Sequence, residues 1–183
     1  MKSIDTKLLD QVCIVGLGFV GSAMAIAVAL AKKNGFPIYN VIGLDLPNKQ
    51  GKERVNSINT GTFPFVTDDV NLLNGFETVI NQGNLKASSD KSIYSTSSII
   101  IIDIHLDINY LDEEPQLDLN QFRKVFSEIG KRITTGTLII VESTVPPGTC
   151  EKVVIPTLNH ELSMRGMSID DIMIAHSYER VMP

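Results

Sequence analysis

Gly16-Leu17-Gly18-Phe19-Val20-Gly21 decides the fold. The GxGxxG spacing alone is weak, because glycine triplets also occur in ordinary turns. Its setting strengthens it: an apolar run at 12–15 reads as a strand buried on both faces, and the small, aliphatic residues over 20–33 read as a helix. Gly16 then allows a tight turn, Gly18 lets the backbone approach a pyrophosphate, and Gly21 lets helix and sheet pack closely. The helix amino terminus offers N–H groups and a partial positive charge, worth about 0.3–2 kcal/mol to an anion. Gly16, Gly18, Phe19, Val20 and Gly21 are thus the expected pyrophosphate contacts.

A second strand is expected at 41–44, ending on Asp45. A carboxylate there accepts hydrogen bonds from an adenosine ribose, on the order of 1.5–3 kcal/mol, and repels the extra phosphate of NADP. Lys49, Lys52 and Arg54 follow closely and weaken that exclusion slightly. The expected cofactor is NAD.

Working outward, helices are expected at 48–59 and 68–81, separated by the breaker run Thr60-Gly61-Thr62-Phe63-Pro64, with a weak strand at 85–87. The run 99–104 is the clearest strand, and 119–133 carries Leu119, Phe122, Phe126, Ile129 and Ile133 at helical spacing. A strand at 138–141, a helix at 149–164 and a strand at 172–175 complete the alternation, and Asn34-Gly35 is expected to close the first helix. Such alternation predicts an α/β, Rossmann-type doubly wound fold: a mostly parallel sheet with helices on both faces. Ligands in such sheets lie beyond the carboxyl ends of the strands.

The length of 183 residues fits one domain, and 43% hydrophobic with 20% charged residues is ordinary globular composition. A net charge of −5 without a Lys/Arg run argues against a nucleic-acid surface. The polar start gives no signal peptide and no apolar run is long enough to span a bilayer, so a soluble cytoplasmic protein with no membrane partner is expected. Cys13 and Cys150 make neither a disulfide framework nor, with the histidines, a metal pattern; no metal is expected.

Val141-Glu142-Ser143-Thr144-Val145-Pro146-Pro147-Gly148-Thr149 is more specific than the glycine turn. With Gly16–Gly21, the closing Glu179-Arg180-Val181-Met182-Pro183, and Val55, Ile58, Asn59, Gly61 and Pro64, it resembles the UDP-glucose/GDP-mannose dehydrogenase family. The resemblance spans nearly the whole chain and corresponds to that family's amino-terminal NAD-binding domain. It implies a nucleotide-sugar 6-dehydrogenase, oxidising the C6 alcohol of a UDP- or GDP-sugar to a uronic acid with two NAD, in polysaccharide biosynthesis. It also implies that residues 1–183 form the NAD-binding domain only. The central helix, the catalytic cysteine and the sugar-nucleotide domain, which carries most substrate contacts and a possible homodimer interface, would lie beyond it, leaving this chain alone inactive.

The resemblance places Ser143 and Thr144 at the cofactor, with Thr144 near the nicotinamide and holding a catalytic water. It gives Glu179 acid/base work on the covalent intermediate. Thr144 and Glu179 are therefore the expected catalytic residues. Rival readings are a stand-alone NAD-binding module without catalysis and another beta-hydroxyacid-type dehydrogenase; the segment from Glu142 to Thr149 argues against the latter. Departures are His105-Leu106-Asp107 in place of a Pro-Thr-Pro turn, preceded by Asp103, together with Thr67 for glutamate and Tyr178 for proline. The interval between Asp45 and Val55 is also longer than usual, so Arg54 is not assigned to the cofactor. Cys13 reads as a small buried hydrophobe and Cys150 as a thiol whose pKa a helix amino terminus could lower, though outside the family's cysteine motif. His160 reads as a surface residue; His105 and His176 follow strands and could approach the cofactor, a hydrogen-bonded structural role being the favoured reading.

Overall fold

Val12, Cys13, Ile14 and Val15 alternate between two apolar layers, and all four are buried in β1 (Asp10–Val15). A strand apolar on both faces must be covered on both, which selects a central position in a parallel sheet. The structure, a computed structural model, describes residues 9–106, 108–111, 114–117 and 119–178. In it β1 lies between β4 (Tyr39–Leu44) and β6 (Ile99–Ile102), all parallel. Beyond β4 comes β5 (Leu85–Ser88); beyond β6 come β9 (Leu138–Val141) and β10 (Met173–His176), again parallel. The order β5-β4-β1-β6-β9-β10, counted along the chain over these six strands, is 3-2-1-4-5-6. That is the order of two mononucleotide-binding halves meeting between β1 and β6.

Cys13, Val15, Ile100 and Ile102 face one layer with α4 (Asn120–Gly130) and α5 (Ile155–Ser163), whose Phe122, Phe126, Ile129, Leu158 and Leu162 are buried. Val12, Ile14 and Ile101 face the other, with α1 (Phe19–Leu30), α2 (Lys49–Asn59) and α3 (Val70–Gln82). Register aligns the strand ends: Val15 lies opposite both Leu44 and Ile102, and Ile102 opposite Val141. Gly16, Asp45, Asp103 and Glu142 therefore emerge along one edge of the sheet. Edge strand β5 is clamped by Asn59, whose amide donates to the Ala87 carbonyl and accepts from the Ala87 N–H, both at 2.9 Å.

Several boundaries differ from the sequence expectations. The first helix stops at Leu30 rather than at 33, because Lys32–Lys33 (β2) pairs antiparallel with Phe36–Pro37 (β3). Asn34 and Gly35 do not close that helix but turn the hairpin, with φ of 54° and 83°, the paired positive values of a tight two-residue turn. The strand expected at 99–104 ends at Ile102, and the helix expected at 119–133 ends at Gly130, leaving Ile133 buried in the turn beyond. The helix expected at 149–164 begins with a π turn, Cys150–Val154, in which Ile155 N–H reaches the Cys150 carbonyl. Pro156 supplies the reason: it cannot donate to the Lys152 carbonyl, and its ring would strike that carbonyl in an α turn. A small antiparallel pair, β7 (Ile108–Leu111) with β8 (Glu114–Leu117), lies where no element was expected.

Candidate functional site

Gly16 leaves β1 with φ of 97°, and a Cβ there would collide with the Asp103 carbonyl. A Cβ on Gly21 would collide with the Gly16 carbonyl, so this turn closes only with glycine at both places. Gly18 differs. It is the N-cap of α1 with φ of −62°, and a Cβ on it would meet nothing within 4 Å. No side chain caps the helix, and the N–H groups of its first turn, Phe19 and Val20 included, have no acceptor within the helix itself. A donor-rich helix terminus beneath an open cradle fits a pyrophosphate.

Asp45 leaves β4 beside this turn, its side chain only 8% exposed. Its Oδ1 accepts from the Leu46 N–H at 2.7 Å and its Oδ2 from Arg54 Nη1 at 2.9 Å. The guanidinium carbon of Arg54 lies 6.0 Å from the Phe65 ring centroid, and Phe65, Phe19 and Phe63 meet edge to face at 5.8–6.2 Å. Sequence reasoning left Arg54 out because of the long interval after Asp45. The interval forms a turn followed by α2, and the helix carries Arg54 back over the carboxylate. The aromatic cluster was also missed; its signal was the Phe63-Pro64-Phe65 run, which reads locally as a breaker.

On the other side of the switch point, Ser143 is buried and its hydroxyl spans two loops. It accepts from the Ile104 N–H and donates to the Ile104 carbonyl, both at 2.9 Å. Thr144, next along, is exposed at the carboxyl edge of β9. Thr149 donates to the Pro146 carbonyl at 2.7 Å, pinning the loop before the π turn. Ser143 and Thr144 thus adjoin the glycine turn across β6, whereas Glu179 and Asp107 lie outside the described residues.

Neither thiol is activated. Burial pushes Cys13 up to about 12, and burial, followed by the nearby Glu151 carboxylate, raises Cys150 above its usual value. The structure therefore runs against the lowering that a helix start could give Cys150: desolvation and a like charge push it the other way. His105, His160 and His176 are all exposed, which agrees with the surface reading of His160 and leaves His105 and His176 without the burial of a structural histidine; the His176 and Tyr178 ring centroids lie 6.1 Å apart. Among the described residues no group of three or more His, Cys, Asp or Glu side chains could hold a metal, and no helix is long and apolar enough to cross a membrane.

The model of the UDP-glucose/GDP-mannose dehydrogenase family, NAD binding domain, matches residues 10–183. The chain belongs to this family. It is 30% identical over 174 residues to UDP-N-acetyl-D-mannosamine dehydrogenase of Methanocaldococcus jannaschii, covering 94% of this chain and 35% of that protein. The structure of UDP-D-ManNAc dehydrogenase from Pyrococcus horikoshii superposes with a TM-score of 0.74 at 28% identity, over 94% of this chain and 37% of that one. For NDP-N-acetyl-D-galactosaminuronic acid dehydrogenase from Methanosarcina mazei Go1 the TM-score is 0.83 at 24% identity, over 95% and 35% of the two chains, a likeness of fold. The chain spans about a third of the length of these relatives. The family assignment makes this an NAD-binding domain of the nucleotide-sugar dehydrogenase type, built on the 3-2-1-4-5-6 sheet.

Proposed function

We propose that this chain is the NAD-binding part of a dehydrogenase that oxidises the C6 alcohol of a nucleotide sugar to a carboxylate, using two NAD. The observation that carries the reading is the open, uncapped start of α1 at Gly18 with the Asp45 carboxylate beside it. The substrate class follows the named activity of the Methanocaldococcus relative, and a UDP-linked N-acetylhexosamine is the first candidate. Oxidising a primary alcohol to a carboxylate removes four electrons and takes up one water, so two equivalents of a two-electron acceptor are consumed. Bound NAD supplies that acceptor.

In this reading the first turn of α1 holds the pyrophosphate and Asp45 orients the adenosine ribose. Arg54 neutralises Asp45 and walls the adenosine end together with Phe65. Ser143 holds the loops after β6 and β9 at a fixed spacing, which keeps the neighbouring cofactor surface in shape. Thr144, exposed at that edge, positions the attacking water, and Glu179 moves the protons. The remaining catalytic groups, the sugar-nucleotide contacts and a homodimer interface belong to further domains. Soluble sugar nucleotides as substrates place the work in the cytoplasm, in the supply of uronic acids for polysaccharides. Calorimetry on the chain is expected to give NAD binding at least tenfold tighter than NADP, and equal affinity would overturn the cofactor assignment. In a protein joining this chain to a sugar-nucleotide domain, two NADH per sugar are expected; one per sugar would overturn the reaction.

A further inference from the structure

Asp103 is the first residue beyond β6, at the point where the two halves of the sheet diverge. Its N–H donates to the Val15 carbonyl at 2.9 Å, fixing its backbone beside the end of β1. Residues alternate along the strand: Ile100 and Ile102 face the α4/α5 layer, Ile101 the α1 layer. Asp103 therefore points to the α1 side, and its Oδ2 lies 3.1 Å from the position a Cβ on Gly21 would occupy. This carboxylate adjoins the glycine turn from the side opposite Asp45. Asp45 terminates the second strand of the first half; Asp103 opens the second half.

We infer that Asp103 binds the hydroxyls of the second ribose of the dinucleotide, the one beyond the pyrophosphate from the adenosine. The chemistry selects that group. An aspartate carboxylate is acceptor-only when ionised and repels phosphate oxygens. On that half of the dinucleotide the donors are the ribose hydroxyls and the carboxamide. The carboxamide lies farther from the pyrophosphate than the ribose does, and Asp103 stands at the glycine turn itself. The crevice beyond β1 and β6 is where a ligand crosses such a sheet, so a ribose following the pyrophosphate passes this carboxylate. With Asp45, the turn is then flanked by one ribose acceptor on each side.

The inference rests on reading the glycine turn as a dinucleotide site, and the test separates the two. Calorimetry compares NAD, ADP-ribose and ADP on the wild-type chain, Asp103→Ala and Asp103→Asn, with thermal melting as the check on folding. ADP-ribose keeps the second ribose and lacks nicotinamide; ADP lacks both. Asp103→Ala is expected to weaken NAD and ADP-ribose roughly tenfold or more while changing ADP less than twofold. Asp103→Asn, which keeps an acceptor and loses the charge, is expected between Ala and wild type. Unchanged or tighter ADP-ribose binding in Asp103→Ala would overturn the ribose contact alone, as would an equal loss for ADP, or a loss for NAD without one for ADP-ribose. Absence of binding to all three ligands by the wild-type chain would overturn the dinucleotide reading and this inference with it.

Discussion

Arg54 Nη1 closes on Asp45 Oδ2 at 2.9 Å across nine residues of sequence, so the carboxylate at the end of β4, proposed above as the ribose acceptor, is ion-paired within the chain itself. With the Leu46 N–H on the other oxygen, the carboxylate is held in one orientation. Each oxygen retains lone pairs for ribose hydroxyls.

Asp45→Ala removes those acceptors and also releases the Arg54 guanidinium, a group suited to a 2′-phosphate. NAD binding is expected to weaken by about 10–150-fold, from the 1.5–3 kcal/mol of charge-assisted bonds. NADP binding should fall less or rise, narrowing the preference. Titration calorimetry with both dinucleotides measures the ratio, and an unchanged ratio would remove Asp45 from the discrimination.

The glycines of the turn are expected to separate by phenotype. Gly18→Val adds its side chain where the protein leaves open space and φ is ordinary, so the melting temperature should hold while dinucleotide binding is lost. Gly21→Ala drives a methyl group into the Gly16 carbonyl, and Gly16→Ala drives one into the Asp103 carbonyl at a φ of 97°. Both should cost about 1–3 kcal/mol of stability or more. Full NAD affinity in Gly18→Val would contradict the placement of the pyrophosphate.

Ser143→Ala deletes a hydroxyl that bonds both polar groups of Ile104 from a buried position. The Ile104 N–H then loses the acceptor it has here, and about 1–3 kcal/mol of stability is expected to go with it. Chemical denaturation measures this without ligand. A variant as stable as the wild type that binds NAD more weakly would make Ser143 a cofactor contact and not a strap.

What the sequence made legible was whatever depends on near neighbours. The apolar runs of β1, β6 and β9 stood out because strands covered on both faces read as unbroken hydrophobic stretches. The glycine turn and Asp45 were legible because their spacing carries a mechanism. Arg54 was not, since its role depends on how α2 returns to the sheet. Asn34-Gly35 was misread because the same pair suits a helix end and a hairpin, and only the partner strand Phe36–Pro37 decides. Ser143 was placed in the right loop, but its hydroxyl bonds to Ile104, 39 residues away, which no local pattern announces.

Glu128 lies among three cations: Lys91 and Arg132 at 3.1 Å from Oε2, and Lys131 at 3.1 Å from Oε1. The hydrogen bond from Lys91, with help from the other two, holds its pKa at about 2 against an ordinary 4.5. A depressed carboxylate pKa contributes stability above the unfolded value and loses it as pH falls through the folded one. The group is partly exposed, so the gain is discounted to about 0.5–1 kcal/mol. Wild type should therefore exceed Glu128→Gln in stability at pH 6, and the gap should shrink from about pH 4.5 and vanish near pH 2. A gap independent of pH would trace it to packing.

The thiols set the last expectation. Oxidation past the aldehyde by a covalent route needs a nucleophile that is ionised near neutral pH. Cys13 is fully buried in β1 with its pKa pushed up to about 12, and Cys150 is half-buried beside Glu151 with its own raised. At pH 8 a thiol reagent should leave Cys13 untouched until the chain unfolds, and should label Cys150 more slowly than free cysteine. Holding a cofactor does not by itself hold a sugar in reacting geometry or stabilise developing charge. With NAD and a panel of UDP- and GDP-sugars, the 183-residue chain is expected to form no NADH above background over hours. Absorbance at the NADH band reads this directly. Sustained turnover abolished by Cys150→Ser would make Cys150 the nucleophile and this chain a complete catalyst.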